Sequence, residues 1–103
     1  MHVYVRPFEV KSNTANLAVT TASQTVALNR AGIGTQSIRV VNIGTQTVFI
    51  SIGGSGVTAS LTTSMPILAN TVETLTIQNE DTTVAAIASA TGSTIYVTTG
   101  ESA

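Results

Sequence analysis

Ser37-Ile38-Arg39-Val40-Val41-Asn42-Ile43-Gly44-Thr45-Gln46-Thr47-Val48-Phe49-Ile50-Ser51-Ile52-Gly53-Gly54 is the stretch that decides the fold. Two apolar runs, Ile38 to Val41 and Val48 to Ile52, flank a short polar break. β-branched and aromatic residues at this density favour strands, because they pack well on a pleated, half-buried surface. Asn42-Ile43-Gly44-Thr45-Gln46 supplies the turn, with Gly44 free to take positive φ. The stretch reads as a β-hairpin at the centre of a small all-β domain.

The rest of the chain continues the pattern in both directions. Leu17 and Val19 alternate with Ala18 and Thr20, and Val26 and Leu28 point inward from a second short strand. Asn29 to Gln36 is a loop punctuated by Gly32 and Gly34. After the glycine-rich turn Gly53-Gly54-Ser55-Gly56, Val57 to Leu61 reads as a brief strand. Thr62 to Pro66 reads as a loop, Asn70-Thr71 as a turn and Val72 to Ile77 as a strand. Leu75 and Ile77 share a face with Glu73. Thr83 to Ala90 is alanine-rich enough for a short helix, but it is brief, lacks a sustained helical period and is bounded by turn signals, so strand is favoured. Thr94 to Thr98 sets Ile95 and Val97 on one side and Tyr96 on the other. Seven to eight short strands at close intervals predict a compact antiparallel sandwich or jelly roll.

Residues 1–14 stand apart. Pro7 denies a ladder hydrogen bond and points to an edge strand or an arm. Fully extended, the segment reaches about 45 Å at roughly 3.3 Å per residue. It either folds back on its own sheet or lies on a neighbouring molecule. Residues 15–103 form the single β-domain.

With 103 residues there is room for one domain. Only 9% of them are charged and the formal net charge is −1. Ordinary soluble domains carry roughly 25% charged residues, so this surface resists self-association poorly. Thr, Ser, Asn and Gln stand where charges usually stand. The four basic residues, Arg6, Lys11, Arg30 and Arg39, are scattered and leave no nucleic-acid footprint. No apolar run approaches the ~18 residues that span a bilayer, and the first residues do not read as a secretory signal. With no cysteine, disulfides and thiolate metal sites are excluded.

Catalytic chemistry has little to stand on. His2 is the sole histidine. Glu80-Asp81 is the one adjacent carboxylate pair, and it reads as a solvated turn. Gly53 to Val57 fails the nucleophile-elbow pattern, because Val57 stands where glycine is required. Gly32 to Ser37 fails the dinucleotide fingerprint at its last position. No enzyme activity, catalytic residue, cofactor or metal is expected. Partner contacts are expected instead at Tyr4, Arg6 and Phe8 of the N-terminal segment and at Arg39, which lies between Ile38 and Val40 on an outward face. Arg39 and Glu73, both on strands, are candidates to pair across the sheet.

Ser37-Ile38-Arg39-Val40-Val41-Asn42, Val48 to Gly53, Met65-Pro66-Ile67-Leu68-Ala69-Asn70-Thr71-Val72-Glu73, Val84-Ala85-Ala86-Ile87 and Gly92 to Glu101 together resemble small virion proteins of tailed bacteriophages. The resemblance covers about two thirds of the chain and rests on structural motifs, so no functional residue carries over. It implies a β-sandwich or jelly roll that decorates and cements the outer surface of a capsid. The alternative it implies is a neck, tail or fibre component acting as an adaptor or carbohydrate-binding module. The expected location is the virion, assembled in the host cytoplasm. Expected partners are the major capsid protein or other virion proteins and further copies of the chain, as a dimer or trimer, without nucleic acid or membrane.

Overall fold

A computed structural model describes residues 9–10, 13–28, 36–78 and 80–101. Within them the chain forms nine strands: β1 (Glu9–Val10), β2 (Ala15–Val19), β3 (Gln24–Ala27), β4 (Gln36–Gly44), β5 (Val48–Gly53), β6 (Met65–Ile67), β7 (Thr71–Ile77), β8 (Thr83–Ala88) and β9 (Ser93–Glu101). Every pairing is antiparallel. One sheet has five strands in the order β1-β9-β4-β7, with β2 also paired to β9; the other has four in the order β3-β8-β5-β6. From β2 onward the strands pair first with last and work inward: β2 with β9, β3 with β8, β4 with β7, β5 with β6. That is an eight-stranded double-sheet jelly roll, the expected class. β1 adds two residues to its edge.

The core lies between the two sheets, where alternate residues of each meet. Ile38, Val40, Ile95, Val97 and Ile77 come from the larger sheet, and Val48, Ile50, Ile67, Val84 and Ala86 from the smaller. The radius of gyration is 13.5 Å, against about 13 Å for a compact domain of this length.

Three local expectations are corrected. The central stretch is not a hairpin: β4 and β5 belong to different sheets, and the chain between them is an arch. A hairpin and an arch bury the same alternate residues, so periodicity does not separate them. What holds the arch is Asn42, which is fully buried. Its Nδ2 donates to the carbonyls of Gln46 (2.9 Å), Ile67 (2.9 Å) and Leu68 (3.2 Å). This ties the end of β4 to the entry of β5 and the exit of β6. Second, Val57 to Leu61 forms no strand. It belongs to a loop held by side chains, with Ala59 N donating to Ser23 Oγ (2.8 Å) and Ser60 N to Ser64 Oγ (2.9 Å). Third, Met65 and Pro66, read as loop, begin β6. Proline is tolerated there because β6 is an edge strand. The alanine-rich segment is strand β8, not helix.

Candidate interaction surface

The two sheets treat their outer faces differently. In the smaller sheet, Phe49, Ser51, Ala85 and Ile87 point away from the core. Ala85 is nonetheless fully buried. Ser51 lies opposite Ala85, and its hydroxyl bonds that of Ser64 at 2.6 Å. The loop between β5 and β6 therefore crosses this face, tied to Ser51 on β5 and to Ser23 before β3, and Phe49, opposite Pro66 and Ile87, is half-buried. A central strand covered on both sides needs small residues, which explains why β8 is built from alanine.

The larger sheet has no such roof among the described residues. Its register lays Asn16, Tyr96, Val41 and Val72 in a row across four strands. Beside Val41 on the same face of β4 come Ile43 on one side and Arg39, then Ser37, on the other. Tyr96 is 39% exposed, Val72 48% and Ile43 54%. The remaining outward positions are mostly Thr and Ser. Arg39 is the one ionisable group apart from Tyr96 among the described side chains of this face; it is exposed and lies opposite Thr98 and Thr74. Thr14 bonds Thr98 through their hydroxyls at 2.7 Å.

One end of this face is rigidly built. Gly44 sits at φ +144° opposite Ser93, so close to the turn before β9 that a Cβ there would overlap the Gly92 carbonyl oxygen. Ser93 Oγ accepts from Gln46 N and donates to Gln46 O, both at 2.9 Å. The arch is thus clamped to β9, and Ile43, Tyr96 and Val41 stand on a fixed backbone.

Of the four residues expected to make contacts, Tyr4, Arg6 and Phe8 lie outside the described residues, as does His2. Arg39 stands outward on β4, as read. Its expected cross-sheet partner does not face it: Glu73 lies opposite Val40, on the other side of the sheet. That alternation follows from the two-residue period of a strand. Sequence reasoning passed over Val41, Ile43 and Val72. Val41 reads as part of an apolar run and Ile43 as part of the turn, whereas β4 continues to Gly44 and its alternation places both outward.

Chemistry is sparse elsewhere. Among the described residues no three His, Cys, Asp or Glu side chains come together as a metal site. In the Gln78 to Asp81 turn, Asp81 Oδ2 accepts from Gln78 N at 2.8 Å, a local turn bond. Among the described residues, three buried side-chain oxygens lack a hydrogen-bond partner: Asn42 Oδ1 at the arch, and Gln36 Oε1 and Thr99 Oγ1 toward the far end of β4. They do not converge on one cavity-like cluster, since Asn42 is separated from the other two by most of the strand.

No protein-family model and no curated protein matches the sequence. A solved structure does match in fold: a chain from Bacillus endospore appendages, described as a family of disulfide-linked pili. The two superpose with a TM-score of 0.62 at 14% identity, over 91% of this chain and 86% of that one.

Proposed function

We propose that this chain is a structural protein of a virion surface, a decoration or cement protein that binds the outside of a capsid and works by contact, not catalysis. The observation that supports this reading best is the outer face of the five-stranded sheet. Among its described side chains it is almost free of charge, and it carries an apolar row in which Tyr96 and Val72 are exposed and Val41 is half-buried. Interfaces favour Tyr and Arg and are depleted in Lys, Glu and Asp, and this face has that composition. A particle lattice presents many identical sites, so modest affinity per contact suffices when contacts are multiplied.

A second reading is a filament, neck or tail component. It is favoured by the fold likeness to a chain of bacterial appendages, a protein class that also acts by assembly. Those pili are disulfide-linked; this chain has no cysteine, so its assembly would rest on non-covalent surfaces alone.

The test is the copy number of the chain in purified particles from its source, relative to the most abundant shell protein. Hundreds of copies support decoration of the lattice. About a dozen move the chain to the neck, tail or a vertex. Absence from every particle fraction overturns the virion reading.

A further inference from the structure

We propose that the outer face of the five-stranded sheet docks onto the same face of a second copy of this chain, sheet against sheet. The inference deepens the reading of the chain as a protein that works through surface contact, by naming the partner and the face.

The first argument is that the sheet edges are blunted. An open edge offers unpaired backbone groups to any neighbouring strand, and proteins guard against this with short strands, proline, bulges and inward-pointing charges. Here each edge carries one of these devices. On β7, Glu73 points to the core side of the sheet, opposite Val40. β6 has three residues, one of them Pro66, and β3 has four. Between β1 and β2 the register slips: Val10 faces Gly100 and Ala15 faces Val97, so five steps on one side meet three on the other. Edge-to-edge growth is discouraged on both sheets, while the row Tyr96–Val41–Val72 is left uncovered by any described residue.

Size and charge favour a second copy as the occupant. The four long strands of the face hold 5, 9, 9 and 7 residues. At about 3.4 Å per residue and about 4.8 Å between strands, they present roughly 490 Å² per copy, or about 1,000 Å² for two. That reaches the lower bound of about 1,000 Å² for a specific interface and marks a weak, reversible dimer. The one strongly charged side chain of this face, Arg39, stands on central strand β4 between Thr98 and Thr74, so two copies have a single pair of like charges to keep apart and no array of them. Two twisted sheets also pack well when aligned within about 30° of each other.

The test is sedimentation of the full chain from micromolar to millimolar concentration, beside Tyr96→Lys, Val72→Lys and, as a control on the other sheet, Thr25→Lys. The proposal expects a concentration-dependent dimer whose dissociation constant rises at least about tenfold in either face variant and stays unchanged in the control. Hydrogen exchange of the unmodified chain at the two concentration limits gives a readout independent of any substitution: protection must rise at β4 and β9. A monomer throughout, a dimer indifferent to both face variants, or a face that takes up only an added oligosaccharide overturns the proposal. A monomer that still binds particles through Tyr96 leaves the cement reading standing, whereas a dimer absent from all particles removes that reading and leaves self-docking intact.

Discussion

Asn42 carries more of the architecture than any apolar residue. Its two N–H groups serve three carbonyls from two separate places in the chain, Gln46 and the adjacent Ile67 and Leu68, and a buried polar group stripped of its partner costs about 1–3 kcal/mol. Asn42→Asp replaces those donors with an acceptor charge among carbonyls. The variant is expected to be less stable than Asn42→Ala at neutral pH. Because the folded state raises the new carboxyl's pKa above its unfolded value of about 3.9, stability recovers as pH falls. Urea midpoints for both variants at pH 7 and pH 4 check this; an Asp variant equal to the Ala variant at both pH values contradicts it. Gly44→Ala acts through space and backbone together. Its φ of +144° excludes an ordinary L side chain, and the added carbon meets the Gly92 carbonyl oxygen. A loss of about 3 kcal/mol is expected, seen as a fall in the thermal midpoint of roughly 4–8 °C per kcal/mol for a domain this size.

At the scale of the element, β7 and β8 show how position overrides propensity. Thr71-Val72-Glu73-Thr74-Leu75-Thr76-Ile77 would be a continuous β-prone edge without its one charge. Glu73→Val creates an uncharged seven-residue strand of the kind that aggregates. It is expected to leave the fold intact and raise light scattering on incubation, while Glu73→Lys stays soluble; equal solubility of the Val variant would show that the edge needs no guard. In β8 the constraint is volume. Ala85 lies between the sheet and the loop that roofs it, so Ala85→Leu overpacks that layer. About 1–3 kcal/mol of destabilisation is expected by chemical denaturation. A surface alanine, which Ala85 resembles from the strand's alternation alone, would tolerate leucine without loss.

Across the whole molecule, the pairing of early strands with late ones means that the sheets close only when segments far apart in the sequence meet. β9 is the hub of the larger sheet, between β2 and β4, and it comes after every other described strand in the chain. Such non-local topologies fold slowly, because loop-closure entropy precedes any gain from contacts. Refolding after denaturant dilution is expected in milliseconds to seconds by stopped-flow tyrosine fluorescence; a microsecond phase that accounts for the full amplitude would contradict this topology. The same wiring leaves apolar side chains exposed in two places among the described residues: Ile43, Val72 and Tyr96 on the outer face of the larger sheet, and Leu61, Met65 and Leu68 in and around β6.

Strand identity was legible from single residues: Ile95 and Val97 inward with Tyr96 outward, Leu75 and Ile77 sharing a side with Glu73, and the run from Val84 as strand. These follow from a two-residue period that each segment carries within itself. The partner of each strand did not follow, because β4 and β5 bury the same residues whether they pair or arch apart. That choice rests on Asn42 reaching Ile67 and Leu68, twenty-five and twenty-six positions away, and no local pattern encodes a distance of that kind. Likewise the alternation identified which residues of each sheet face outward, but only the folded loop over Ala85 decided which outer face is covered and which is left open among the described residues. Local periodicity determined the all-β class and the inward residues; the sheet assignment, the roof and the exposed Tyr96–Val41–Val72 row came from contacts between segments far apart in the chain, where packing and buried hydrogen bonds select among arrangements that the pattern leaves equal.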